Sequence, residues 1–160
     1  MVEEYYQNWL KHRTVLHDLL DQIRPEHVFF KPWKDGFSMG ELAVHIASST
    51  EMFLETIKNG QFVSPATPRE FQTMDEVREI VQEFTQKSKR DFSVLERAHL
   101  SKKIDIFGYE APGKYWIESL IDHEIHHKGQ LFVYARMTGA EKVPFFKQLP
   151  SRAVNDAAAD

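Results

Sequence analysis

The chemistry in this sequence is concentrated in His123-Glu124-Ile125-His126-His127. On a helix, residues four apart lie about 40° apart around the axis and about 6 Å apart along it. The imidazoles of His123 and His127 can therefore converge on one divalent ion, while His126 points about 60° away from the edge of such a site and is expected to flank it. Trp116, Ser119, Gln130 and Tyr134 fall within roughly 40° of His123. Of these, Trp116, Gln130 and Tyr134 are the expected substrate-binding residues. Glu124, about 60° from His127, is the expected catalytic residue, orienting a ligand histidine or shuttling a proton.

A third ligand is available from another helix. His45 stands in Glu41-Leu42-Ala43-Val44-His45-Ile46-Ala47, an otherwise apolar surface that must face the core. A core histidine needs partners for its nitrogens. Helical bundles build metal sites from inward side chains on facing helices, so His45 opposite the His123/His127 pair is a sensible third ligand. His12, His17, His27 and His99 have no ligand spacing and read as surface or loop residues.

Two familiar metal motifs compete with this reading. His123-Glu124-x-x-His127 has the letters of the H-E-x-x-H zinc-protease motif, in which the glutamate is the general base. The metzincin extension fails, because its glycine would fall at Gln130 and its third histidine at Val133. No upstream sheet is expected that would hold a peptide. Glu124-x-x-His127 also matches half of a di-iron signature, but the other E-x-x-H of the chain, Glu96-Arg97-Ala98-His99, follows the third helical stripe and does not lie on a second long helix as that signature requires.

The elements that must position these residues are four helices. The first is expected from about Glu3 to Ile23, with Tyr5, Trp9, Leu16, Leu20 and Ile23 near a 3.6 period. Ser38-Met39-Gly40-Glu41 is a capping box opening a second helix, Met39 to about Lys58, which stops at Asn59-Gly60. Residues 61–72 carry Pro65 and Pro68 and read as a crossing loop. Thr73-Met74-Asp75-Glu76 is a second capping box, opening a third helix with the stripe Val77, Val81, Phe84, Ser88, Asp91, Leu95. Lys103 to Tyr109 alternates loosely and is expected to be a short extended piece, too isolated for a sheet. A fourth helix runs from about Lys114 to Met137 and is closed by Gly139. The expected fold is all-α, a four-helix bundle with long crossover connections. Residues 1–150 form one domain and 151–160 a flexible tail.

Composition narrows the function. At 160 residues the chain can bury a core without staples. Its net charge of −4 argues against a nucleic-acid partner, since no basic face is available to release counterions. The absence of cysteine rules out a thiolate ligand or cysteine nucleophile, so any thiol chemistry needs an external thiol. Charged residues break up the first twenty positions, and no run approaches the roughly 20 apolar residues of a membrane span. The chain reads as soluble and cytoplasmic, without a membrane partner.

The helix-two segment Ser38 to Ile46, the helix-four segment His123-Glu124-Ile125-His126-His127-Lys128-Gly129-Gln130-Leu131 and the closing Tyr134-Ala135-Arg136-Met137-Thr138-Gly139 together resemble the DinB/YfiT-like family. The resemblance spans nearly the whole chain. It implies a four-helix fold with long crossovers and carries the ligand role over to His45, His123 and His127. It further implies a thiol-dependent S-transferase using a low-molecular-weight thiol and a small-molecule electrophile, and a homodimer. Three protein ligands leave a coordination position open for water or thiol, as catalytic sites do. Neutral imidazoles suit zinc or nickel, with iron and manganese still open. A metal-dependent hydrolase, or a non-catalytic bundle in which metal stabilises the fold or a dimer, are the alternatives.

Overall fold

A computed structural model describes residues 2–151; the expected tail lies, apart from Ser151, outside the described residues. The first helix, α1 (Val2–Asp21), is followed by a single 3-10 turn at Pro25–His27. Helix α2 (Met39–Asn59) opens on the expected box, with the Glu41 amide donating to Ser38 Oγ and the Ser38 amide donating to the Glu41 carboxylate. Helix α3 (Met74–Val94) opens on the Thr73/Glu76 box in the same way, and all six residues of its anticipated stripe are buried. Asp91, the charged member, is satisfied by Lys58 at 2.9 Å and Lys87 at 3.2 Å. After a five-residue helix, α4 (Arg97–Ser101), the chain forms β1 (Lys103–Ile106) and β2 (Tyr109–Pro112) and ends in the long α5 (Gly113–Met137).

The strands correct the expectation of an isolated extended piece. They pair antiparallel in the register Ile106↔Tyr109, leaving a two-residue turn at Phe107-Gly108. Both turn residues have positive φ, 55° and 86°, the geometry of a tight primed hairpin turn. Asparagine or aspartate usually takes the first of these positions, so Phe107 disguises the hairpin in the sequence. Ile104 and Ile106 point inward, and the Trp116 indole donates to the carbonyls of Ile104 and Ala111, pinning the hairpin to α5.

The long helices form the four-helix bundle. Helix α1 packs on α3 and α5, and α2 packs on the same two. Its core has two apolar halves. One gathers Leu16, Leu19, Leu42, Ile46, Val81 and Leu131, and the other Trp9, Leu54, Ile57, Phe92, Leu120 and Ile121. Between them on each helix stands a polar residue: Arg13 on α1, Thr50 on α2, Thr85 on α3 and Glu124 on α5. None of the described helices is long and apolar enough to cross a membrane.

Candidate metal centre

Helices α2 and α5 are direct neighbours, and this contact brings the three histidines together. His45 Nε2 lies 3.1 Å from His123 Nε2 and 3.3 Å from His127 Nε2. One nitrogen from each ring fits in a cluster no more than 4.8 Å across. A four-coordinate ion with bonds of about 2.0–2.1 Å holds its ligand nitrogens about 3.3–3.4 Å apart. The two separations from His45 therefore match what such an ion requires. No other histidine, aspartate or glutamate among the described residues joins the group.

The protonation of the rings suits the same role. Burial, reinforced by the neighbouring His127 and His45, pulls His123 down to about 4. Burial and then His127 lower His45 as well. Both are neutral near pH 7, as metal ligation demands. Gln130 Oε1 accepts from His127 Nδ1 at 2.7 Å, which leaves the Nε2 lone pair turned into the cluster. Ser49 Oγ stands 3.5 Å from His45 Nδ1. Three lone pairs converging without a cation would repel one another, so the arrangement is stabilised by a positive charge among them.

Aromatic rings enclose the cluster. Phe37 stacks on His45 at 4.8 Å, and Phe53 approaches His123 edge-on at 6.4 Å. His126 is exposed beside His127, as expected of a flanking residue.

The remaining candidate residues have diverse placements. Gln130 and Tyr134 line a cleft that reaches His127, with Tyr134 donating its hydroxyl to the Phe37 carbonyl at 3.2 Å. Gln130 also orients a ligand, a role its i+3 spacing from His127 signals. Trp116 lines neither cleft at the histidines, and its indole nitrogen is spent on the hairpin. Glu124 is fully buried and faces the bundle axis. Its oxygens accept from Trp9 Nε1 at 2.8 Å, from Arg13 Nε and Nη2 at 2.8 and 2.9 Å, and from Thr50 Oγ1 at 3.3 Å. None of these partners is a histidine of the cluster.

The other histidines partly depart from expectation. His12 is buried on α1, with Nδ1 3.2 Å from Lys128 Nζ, and burial lowers its pKa. His17 is half-buried 2.9 Å from Thr85 Oγ1, and burial, with Arg13 nearby, brings it to about 4. Both lie on the face of α1 turned toward the bundle, a fact that ligand spacing does not address.

Known proteins share this architecture. The sequence is 33% identical over 144 residues to the uncharacterized protein YjoA of Bacillus subtilis (strain 168), covering 88% of this chain and 93% of that one. The crystal structure of that DinB-like protein superposes with a TM-score of 0.79 at 32% identity, covering 91% of this chain and 98% of the other. A DinB-like protein from Bacillus cereus ATCC 10987, 21% identical, shares the fold with a TM-score of 0.76 over 89% of this chain and 95% of its own. The DinB family model matches residues 1–151, and the chain belongs to the DinB family.

Proposed function

We propose that the protein is a metal-dependent transferase that joins a low-molecular-weight thiol to a small electrophile, with zinc or nickel held by His45, His123 and His127. The observation that carries this reading is the convergence of three imidazole nitrogens, without a fourth protein ligand among the described residues, beside two open clefts. A structural zinc site is closed by four protein ligands, whereas a catalytic one keeps a position for its reactant. When bound, a divalent ion there lowers the pKa of a coordinated thiol and so supplies a nucleophile at neutral pH.

The chain's own residues prepare the site for this reaction. Gln130 holds His127 in the ligating tautomer. Phe37 covers one face of the His45 ring and keeps water from it. The reaction is a substitution in which the thiol sulfur bonds to the electrophilic carbon. The leaving group departs with its bonding electron pair, and the thiol proton passes to solvent.

The test is metal analysis combined with a conjugation assay using L-cysteine and 1-chloro-2,4-dinitrobenzene. Wild-type protein is expected to retain about one zinc or nickel ion per chain and to conjugate only when loaded, and His123→Ala to do neither. Wild-type protein that takes up no metal would overturn the reading.

A further inference from the structure

Two clefts open onto the histidine cluster, and Phe37 stands between them. Both are lined by Phe37 and Glu41, but one continues to His127 and the other to His45. The His127 cleft, about 380 Å³, is walled by Lys31, Asp35, Trp33, Gln130 and Tyr134. The His45 cleft, about 310 Å³, is walled by Val44, Pro65, Ala66, Pro68 and Phe71, with Ser48 and Ser49 on its α2 side. The two compartments differ in polarity while sharing one reaction centre.

We infer that the His45 cleft is the subsite for the uncharged, hydrocarbon part of the electrophile, while the polar reactant enters past His127. This inference rests on the proposed transferase reading and specifies its second substrate. The two charged side chains lining the His45 cleft are already engaged. Arg69 is ion-paired with Glu83, and Glu41 accepts from the Ser38 amide and faces Lys31 at 3.6 Å. Apart from the ion held at the histidines, an ionic ligand would thus find no unpaired counter-charge in this cleft, and an apolar one displaces no ion pair. The volume is at the small end of the roughly 300–1,000 Å³ of ligand pockets, room for one substituted ring or a short branched chain.

The wall is preformed. Phe71 stacks on Phe29 at 5.9 Å and occupies the space beside Gly40, where a Cβ would sit 2.5 Å from its ring. Residues 61–72, which connect α2 to α3, are thereby held against the start of α2. Ser48 spends its hydroxyl proton on the His45 carbonyl at 3.3 Å, whereas Ser49 Oγ, which accepts from His45 Nδ1 when Nε2 is the ligand atom, keeps its proton for a nitro or carbonyl oxygen.

The test uses 4-nitrotoluene, an unreactive aryl probe, titrated into the zinc-loaded full-length protein while the methyl resonances of Val44 and Ala66 are followed by NMR. Saturable shifts at both methyls are expected. Ala66→Trp, which fills the cleft from an exposed loop position, should weaken binding at least tenfold, read from the Val44 methyls. Asp35→Asn, on the other cleft alone, should leave it unchanged. Wild-type protein without saturable shifts, or Ala66→Trp with unchanged affinity, overturns the subsite. Conjugation by the same preparations reports on the function separately. Probe binding without turnover removes the transferase reading and upholds the subsite. Turnover with the same KM for 1-chloro-2,4-dinitrobenzene in wild type and Ala66→Trp sinks the subsite alone.

Discussion

Helix α5 carries two polar clusters on neighbouring residues, and they differ in how completely their bonding capacity is used. Glu124 faces the bundle axis, where Trp9, Arg13 and Thr50 fill its acceptor positions and Arg13 donates two further hydrogen bonds, to Thr85 and Thr50. His123 and His127 face the groove toward α2, where their nitrogens meet other ring nitrogens and an open cleft. The first cluster is saturated by the protein and holds α1, α2, α3 and α5 together across a layer between two apolar halves. The second sets ring nitrogens against one another and can be completed by a cation. A saturated buried network acts on stability and specificity, and an unsaturated one acts on binding.

This contrast can be broken at either cluster. His123→Ala should abolish stoichiometric metal retention after dialysis, a loss larger than the roughly 10–100-fold that an outer-sphere partner contributes. The melting temperature of the metal-free protein should hardly move. Arg13→Met should do the reverse, since it strands a buried carboxylate at a cost of about 3–5 kcal/mol. For a chain of this length that lowers Tm by roughly 6–20 °C, measured by calorimetry on metal-free protein. Should Glu124→Gln leave stability intact and alter only turnover, the division between the clusters would fail.

Two smaller effects sharpen the comparison. Gln130→Leu removes the acceptor on His127 Nδ1 and should weaken metal affinity about 10–100-fold, read by competition with a chelator. The last concerns pH. His17 titrates near 4 in the folded protein and near 6.5 when unfolded, so below pH 6.5 the unfolded chain binds the extra proton first. Stability is therefore lost as pH falls from about 6.5 to 4, with no further contribution from this group below that. His17→Gln should flatten the fall in Tm of metal-free protein between pH 7 and 4.5.

Much of this was legible in the sequence because it is local. Both capping boxes, the stop at Gly60 and the stripe of α3 depend on residues within one or two turns. The hairpin was hidden because Phe107 occupies a positive-φ position usually given to asparagine or aspartate. Angular position on α5 placed Trp116 near His123, but its indole nitrogen is committed to carbonyls of a hairpin that the sequence pattern did not reveal. His12 and His17 carry no ligand spacing, and that criterion is silent about burial against another helix.

The sequence by itself determined the four long helices, the capped starts of α2 and α3, the stop of α2 at Gly60, and the pairing of His123 with His127, because helical geometry links residues four apart whatever surrounds them. Helix α1, by contrast, ends at Asp21, two residues short of the expected Ile23. Only the tertiary structure decided that His45 completes the cluster and that Glu124 turns to Arg13 instead. Whether a polar side chain is saturated or left available depends on groups 70 to 120 positions away, such as Arg13 for Glu124 and His45 for His123. Packing, not spacing, assigns those partners.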